Sequence, residues 1–175
     1  MQLKKSDEKL MFDRAGDYVV YINNISGKFT FDITASNVNL NIFGLFVGKN
    51  AEQFSLQTVQ RHSAPNSISN LLIRGVFYDR SKFKYQGLIR IEKKGQKSHA
   101  YQKNQNLILS PNCFVESKPF LEILADDVYC THGSTTGQLN ADQLNYCYNR
   151  GLDKQQAEKL LVNGFIHEIT CRLEK

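Results

Sequence analysis

Apolar and polar positions alternate along most of the chain with a period of two. Val38, Leu40 and Ile42 are separated by asparagines, and Phe54, Leu56 and Thr58 by serine and glutamine. Such alternation marks a strand with one buried face. Strands are predicted over 18–22, 28–33, 38–46, 52–60, 67–78 and 83–91, with shorter ones over 106–109, 114–117, 120–124 and 128–130. Gly27, Gly48, Gly95, Ala64-Pro65-Asn66 and Ser110-Pro111-Asn112 punctuate these runs as turns. Many short strands admit a sandwich, a barrel or a β-solenoid. No strict short repeat is present, yet the segments share a form: an alternating run, then an Asn, Ser or Gly corner. Asn37, Asn39, Asn41, Asn66, Asn70, Asn104, Asn106 and Asn112 suit left-handed corners or side-chain ladders, which leans the reading toward a solenoid.

Beyond Thr136 the period changes to that of a helix. Asn140-Ala141-Asp142-Gln143 reads as a capping box, followed by Leu144, Cys147 and Tyr148 on one face, with Gly151 as the stop. Asp153-Lys154-Gln155-Gln156 is a second capping box. It opens a short helix whose apolar stripe is Ala157, Leu160, Leu161, Gly164, Phe165 and Ile169. The chain is therefore expected to end in an αα-hairpin whose wide stripe packs on its own domain or on a partner.

At 175 residues and 41% hydrophobic content, the chain has the makings of one globular domain. No run approaches the ~20 apolar residues of a membrane span. The N-terminus has no apolar segment behind its basic residues, so no secretory leader is expected and the chain is placed in the cytoplasm. A net charge of +5 permits a nucleic-acid partner, but the basic residues are scattered apart from the 92–97 run, which reads as a solvated turn. Cys113, Cys130, Cys147 and Cys171 form no C-x-x-C pair, so no self-contained zinc or iron–sulfur site is expected. They read as reduced thiols, with Cys113, Cys147 and Cys171 used for packing. His62 reads as a turn residue beside Pro65. Asp126 and Asp127 are adjacent on an extended segment and point to opposite faces, which disqualifies them as a paired acid and base. No G-x-x-x-x-G-K-[ST] loop occurs, so ATP hydrolysis by this chain is not expected.

One long stretch is recognisable. It comprises Leu121-Glu122-Ile123, Ala125-Asp126-Asp127-Val128, Cys130, His132-Gly133, Thr135, Gly137-Gln138-Leu139, Arg150-Gly151 and Leu160-Leu161. Upstream stand Ala100-Tyr101-Gln102-Lys103-Asn104-Gln105-Asn106-Leu107, His62-Ser63-Ala64-Pro65 with Ser67 and Ser69, and Ser117-Lys118-Pro119. In this order, over about residues 29–165, these motifs resemble the core of the SufB/SufD family, the scaffold proteins of the Suf iron–sulfur cluster assembly system.

The resemblance implies a mainly β fold, a right-handed parallel β-helix followed by a small α-helical subdomain. Boundaries follow as an N-terminal extension over 1–17, the β-helix over 18–139, and the helical subdomain over 140–175. It also implies a non-catalytic scaffold rather than an enzyme. A SufD-like role is expected, because no cysteine lies between Tyr101 and Asn112 and the histidine is framed as Thr131-His132-Gly133. SufB-like chains carry a thiol on the strand that matches Asn104 or a neighbour. His132 is then the first candidate at a cluster-assembly interface and Cys130 the second, as metal ligands shared with a partner chain. The only cofactor implied is a transient iron–sulfur cluster. The implied partners are a SufB-like chain, or a second copy, joined through the C-terminal coils, and a SufC-like ATPase docked on Leu144, Tyr148, Leu160, Leu161 and Phe165. Nucleic acid and membrane are not expected as partners. The competing readings are a carbohydrate-active enzyme on a β-solenoid and a basic nucleic-acid-binding module.

Overall fold

The structure is a computed structural model and describes residues 1–2 and 7–173. The expected N-terminal extension and helical subdomain each reach outside those residues, at 3–6 and 174–175. Ten strands wind into a parallel β-solenoid of two sheets. One sheet, called B, orders β1 (Glu8–Phe12), β3 (Gly27–Ile33), β5 (Gln53–His62), β7 (Lys82–Ile91) and β9 (Phe114–Ile123). The other, A, orders β2 (Gly16–Asn23), β4 (Val38–Gly48), β6 (Ile68–Phe77), β8 (His99–Ile108) and β10 (Tyr129–Gly137). Odd strands pair only with odd and even only with even, always parallel, so each odd–even pair is most of one coil. The mainly β, solenoid expectation holds, with two C-terminal helices following.

Register fixes which side chains share the interior. Asn39 lies beside Ile68, Ile68 beside His99, and His99 beside Tyr129, so every second residue of a strand stacks on its equivalent one coil away. In the first coils those inward columns are apolar. Phe29, Phe31, Ile33, Leu40, Ile42, Phe46, Leu56, Phe77 and Phe83 are fully buried. Phe83 packs 4.9 Å from Phe46 and 5.2 Å from Phe77, ring centre to ring centre. Burying side chains of this kind contributes ~1.5–3 kcal/mol each, and this column is what holds the coils together.

The corners use the conformation that their short polar residues tolerate. Asn24, Asn37, Asn50, Asn66 and Asp79 all have φ between 50° and 59°. They stack between coils: the amide of Asn37 donates to the carbonyl of Asn66 at 3.1 Å, and that of Asn50 to Asp79 Oδ2 at 2.7 Å. Of the other candidate corner asparagines, Asn41 and Asn70 form an outward ladder at 3.2 Å, while Asn104 and Asn106 lie buried inside the solenoid.

The elements depart from the sequence expectations in four places, one of them the short run expected over 128–130, which is the nine-residue β10. Residues 8–12, expected within an extension, form β1 and pair with β3. The broken runs over 106–109, 114–117 and 120–124 belong to two ten-residue strands, β8 and β9. Pro119 sits inside β9, which is possible because β9 is an edge strand and its missing N–H leaves no ladder bond unmade. The second helix is not short: α2 spans Lys154–Leu173, 20 residues, after α1 at Ala141–Asn149.

Both caps are present. Asn140 Oδ1 accepts from the amides of Asp142 and Gln143 at 2.8 and 3.1 Å. Asp153 and Gln156 exchange bonds, each side chain accepting from the other's amide at 2.8 and 3.0 Å. Helix α2 lies against the outer face of sheet A, where Ile169 packs with Phe43, Leu72 and Tyr21. Arg74, on β6, anchors it further. Its guanidinium donates to the carbonyl of Phe165, to Glu168 and to Gln105 Oε1, and lies 4.3 Å from the Phe165 ring centre.

Candidate functional site

The last coil is where the recognised residues fall. Strand β10 is the edge of sheet A, seated on β8 with Cys130 beside Ala100, His132 beside Gln102, Ser134 beside Asn104 and Thr136 beside Asn106. All four β8 partners are buried. Cys130 and His132 therefore occupy the inward column of the terminal coil, two residues and ~6.6 Å apart along the strand. His132 is exposed nonetheless, because no further strand among the described residues stacks above it.

Below that end the interior turns polar. The Thr58 hydroxyl lies 2.8 Å from the Tyr85 hydroxyl. Ser69 Oγ accepts from Gln60 Nε2 at 2.8 Å and lies 2.8 Å from His62 Nε2. Asn106 Nδ2 donates to Asn104 Oδ1 at 2.7 Å and to Thr136 Oγ1 at 3.3 Å, tying β8 to β10. The Gln102 side chain reaches across toward Tyr85 and sits over Gly87; a Cβ at Gly87 would stand 2.3 Å from the Gln102 amide. His62 is thus no surface turn residue. It is wholly buried, and desolvation pushes its pKa down to about 4, which keeps the ring neutral.

Cys130 and His132 differ in character. The thiol side of Cys130 packs against the small apolar cluster of Ile89, Ile91, Ala100 and Ala125, with Val128 beside it. That burial raises the Cys130 pKa, which keeps the thiol protonated near neutral pH. His132 presents an imidazole to solvent. Among the described residues no group of three or more His, Cys, Asp or Glu side chains is arranged to hold a metal ion.

The five residues expected to receive an ATPase separate. Tyr148 and Leu160 are exposed, Leu160 to 54%. Leu144 and Leu161 are half-buried. Phe165 is half-buried on Arg74, serving the chain's own fold. The buried side of α2 is Ala157, Val162 and Ile169, so Leu160 does not share the inward stripe that spacing suggested. The other exposed aromatic here is Tyr146, with the Arg150 guanidinium 5.2 Å from its ring centre.

The sequence reading missed the polar lumen. Gln102, Asn104 and Asn106 alternate with Lys103 and Gln105, so both faces of β8 are polar and the period-two contrast that signals burial is absent.

Fold and site together define a parallel β-solenoid whose terminal coil carries Cys130 and His132 in one column, with a helical hairpin strapped to one sheet. Residues 21–165 match the SufBD core domain of the SUF system for FeS cluster assembly, and the chain belongs to this family. It is 30% identical over 138 residues to the iron–sulfur cluster assembly protein SufD of Escherichia coli, covering 79% of this chain and 33% of that protein. It is 35% identical over 105 residues to an iron–sulfur cluster assembly SufBD family protein of Synechocystis, covering 60% and 23%. With the SufD of Bacillus subtilis the figures are 31% over 126 residues, 72% and 28%. The chain thus spans about a third or less of the length of these relatives. No helix among the described residues is long and apolar enough to cross a membrane.

Proposed function

We propose that the chain is a non-catalytic scaffold in Suf-type iron–sulfur cluster assembly, contributing ligands and surfaces rather than a bond-breaking step. The observation that carries this reading is the placement of Cys130 and His132 in one inward column of an edge strand at an open coil. An imidazole and a thiolate are both iron ligands, but two donors leave the coordination of a cluster iron unfinished. The cluster is cargo, held transiently and shared with a chain seated on that end. His132 is the accessible ligand, and Cys130 joins once iron replaces its proton.

The partner at the open end is a SufB-like chain, with a second copy of this chain as the homodimeric form. Leu121 and Ile123 support such a lid: they belong to the inward column of β9, yet are 42% and 37% exposed because nothing among the described residues stacks above them. The free edges of β9 and β10 also offer unpaired backbone groups to a second solenoid. A SufC-like ATPase docks on the helical hairpin through exposed Tyr148 and Leu160, with Leu144 and Leu161 at the rim. Phe165 supports that surface from beneath. The assembly belongs to the cytoplasm, where thiols stay reduced.

The test is anaerobic co-expression with the SufB-like and SufC-like chains, followed by native mass determination and iron and sulfide analysis. A complex of all three is expected. His132→Ala is expected to leave the complex intact and remove most of its cluster. Unchanged cluster content in that variant removes His132 from the mechanism, and a folded chain that captures neither partner overturns the assignment.

A further inference from the structure

The outer face of sheet B has no cover among the described residues, since α2 packs on sheet A. Three shallow depressions run across this face and merge. The first two share Ser26 and Ser55, and the last two share Lys28 and Gln57. The result is one continuous groove. It begins beside Phe114 and ends beside Phe120, which are 46% and 52% exposed.

The groove is basic. Lys82 and Lys84 line its start and Lys28 its middle, and none of the three has a carboxylate within ion-pair distance among the described residues. The carboxylates nearby are Asp7, whose Oδ1 accepts from the backbone amide of Lys28, Glu52, whose side chain accepts from the Lys49 amide, and Glu116, the cross-strand neighbour of Lys84, which is held by Lys118 at 2.7 Å. Next to the lysines runs an apolar row, Val59, Leu88 and Phe120, on successive strands.

We propose that this groove binds an extended acidic polypeptide segment of a partner protein. Lys82 and Lys84 project from one face of β7 at the ~6.6 Å spacing of alternate strand residues, which is also the spacing of alternate carboxylates on an extended peptide. Phe114 and Phe120 stand six residues apart on β9, ~20 Å by the same rise, with Glu116 and Lys118 between them, so the segment enters and leaves beside these rings and crosses β7 and β5 to reach Lys28. The apolar row favours a polypeptide over a nucleic acid: a phosphate backbone satisfies the lysines but leaves Val59 and Leu88 uncovered. This surface lies apart from the helical hairpin and adjoins the open coil at β9, whose outer face carries Phe114 and Phe120 while its inward column and free edge face the open end.

The probe is a short dye-labelled peptide alternating glutamate with leucine and alanine, titrated with the whole chain and read by fluorescence anisotropy. Lys82→Glu/Lys84→Glu is expected to weaken binding about tenfold or more, with binding falling as salt rises. Lys93→Glu/Lys94→Glu makes the same change of net charge at an exposed turn and is expected to shift affinity less than about twofold. All four lysines are exposed, so both variants keep the fold, which their urea midpoints verify. Equal weakening by the two double variants refutes the proposal as a net-charge effect, and so does failure of the acidic peptide to bind. Tighter binding of oligo-dT with the same dependence on Lys82 and Lys84 replaces it with a nucleic-acid groove.

Discussion

Acidification should destabilise this fold through a single buried ring, that of His62. His62 is wholly buried between the inward columns of β5, and its pKa falls from 6.5 to about 4 because desolvation penalises the imidazolium. Its one polar contact is Ser69 Oγ, and Nδ1 has no partner. The folded chain therefore refuses a proton that the unfolded chain accepts. The stabilising effect of a neutral His62 is complete above the unfolded value of 6.5. It is lost progressively as pH falls from 6.5 toward about 4, and below that both states bind the proton equally. At 1.36 kcal/mol per pH unit, the full loss is ~3 kcal/mol, a large part of a typical ~5–15 kcal/mol stability. Glu92 and Glu116, whose carboxyls are held low by Arg90 and Lys118, work in a different window. Their contribution is present above the ordinary carboxyl value and is lost only as pH falls through their lowered values. Urea midpoints measured between about pH 7 and about pH 4 for the native chain and for His62→Gln separate the two effects. Glutamine can still bond Ser69 but does not titrate. The native chain should lose stability steeply from about pH 6.5 downward, while the variant, weaker at neutral pH, stays nearly flat until the carboxyls titrate. Parallel curves for the two proteins would refute the reasoning.

Three further outcomes are expected. Gly87→Ala should cost ~1–3 kcal/mol in urea unfolding, because its Cβ would stand 2.3 Å from both the Gln102 amide and the Tyr85 hydroxyl. Arg74→Ala should loosen α2 without unfolding the solenoid, read as faster amide exchange over 154–173, since it removes the contacts to Phe165, Glu168 and Gln105. Leu160→Asp should abolish capture of the ATPase at an unchanged thermal midpoint, whereas Phe165→Asp should lower that midpoint by placing a carboxylate on the packed side of the helix.

The sequence announced most of the fold where one face of a strand is apolar and the other polar. Val38-Asn39-Leu40-Asn41-Ile42 is legible because its lumen side is hydrocarbon and its outer side is amide. The same winding at β8 is illegible, because Gln102, Asn104 and Asn106 fill the lumen with amides that bond one another. Alternation cannot distinguish a polar inside from a polar outside. Pro119 split β9 for a related reason: the residue is forbidden in a central strand, and nothing local announces that this strand is an edge. Both capping boxes were readable because they are local chemistry, while the facing of α2 was not, because it depends on Arg74, which is 94 residues from its partner Glu168. Cys130 and His132 were found through resemblance, and their common column follows from strand period. The depth of His62 and the closeness of Cys130 to Ile89 and Ile91 required the coils to be stacked.

The passage from an apolar to a polar lumen along the solenoid axis has a mechanical meaning. In a stack of coils, each coil is held by its neighbours, and an end coil has only one. Of the two end coils, the one formed by β9 and β10 rests on β8 through side-chain hydrogen bonds among Asn104, Asn106 and Thr136 rather than through interlocked phenylalanines. Amides exchange partners with water at little net cost, whereas Phe46, Phe77 and Phe83 cannot leave one another without opening hydrocarbon to solvent. Unfolding is therefore expected to start at β9 and β10 and to run toward the aromatic coils, like a zipper opened from its looser end. Any chain that seats on the open end supplies the missing neighbour, so its binding and the ordering of the Cys130 and His132 strand are thermodynamically coupled.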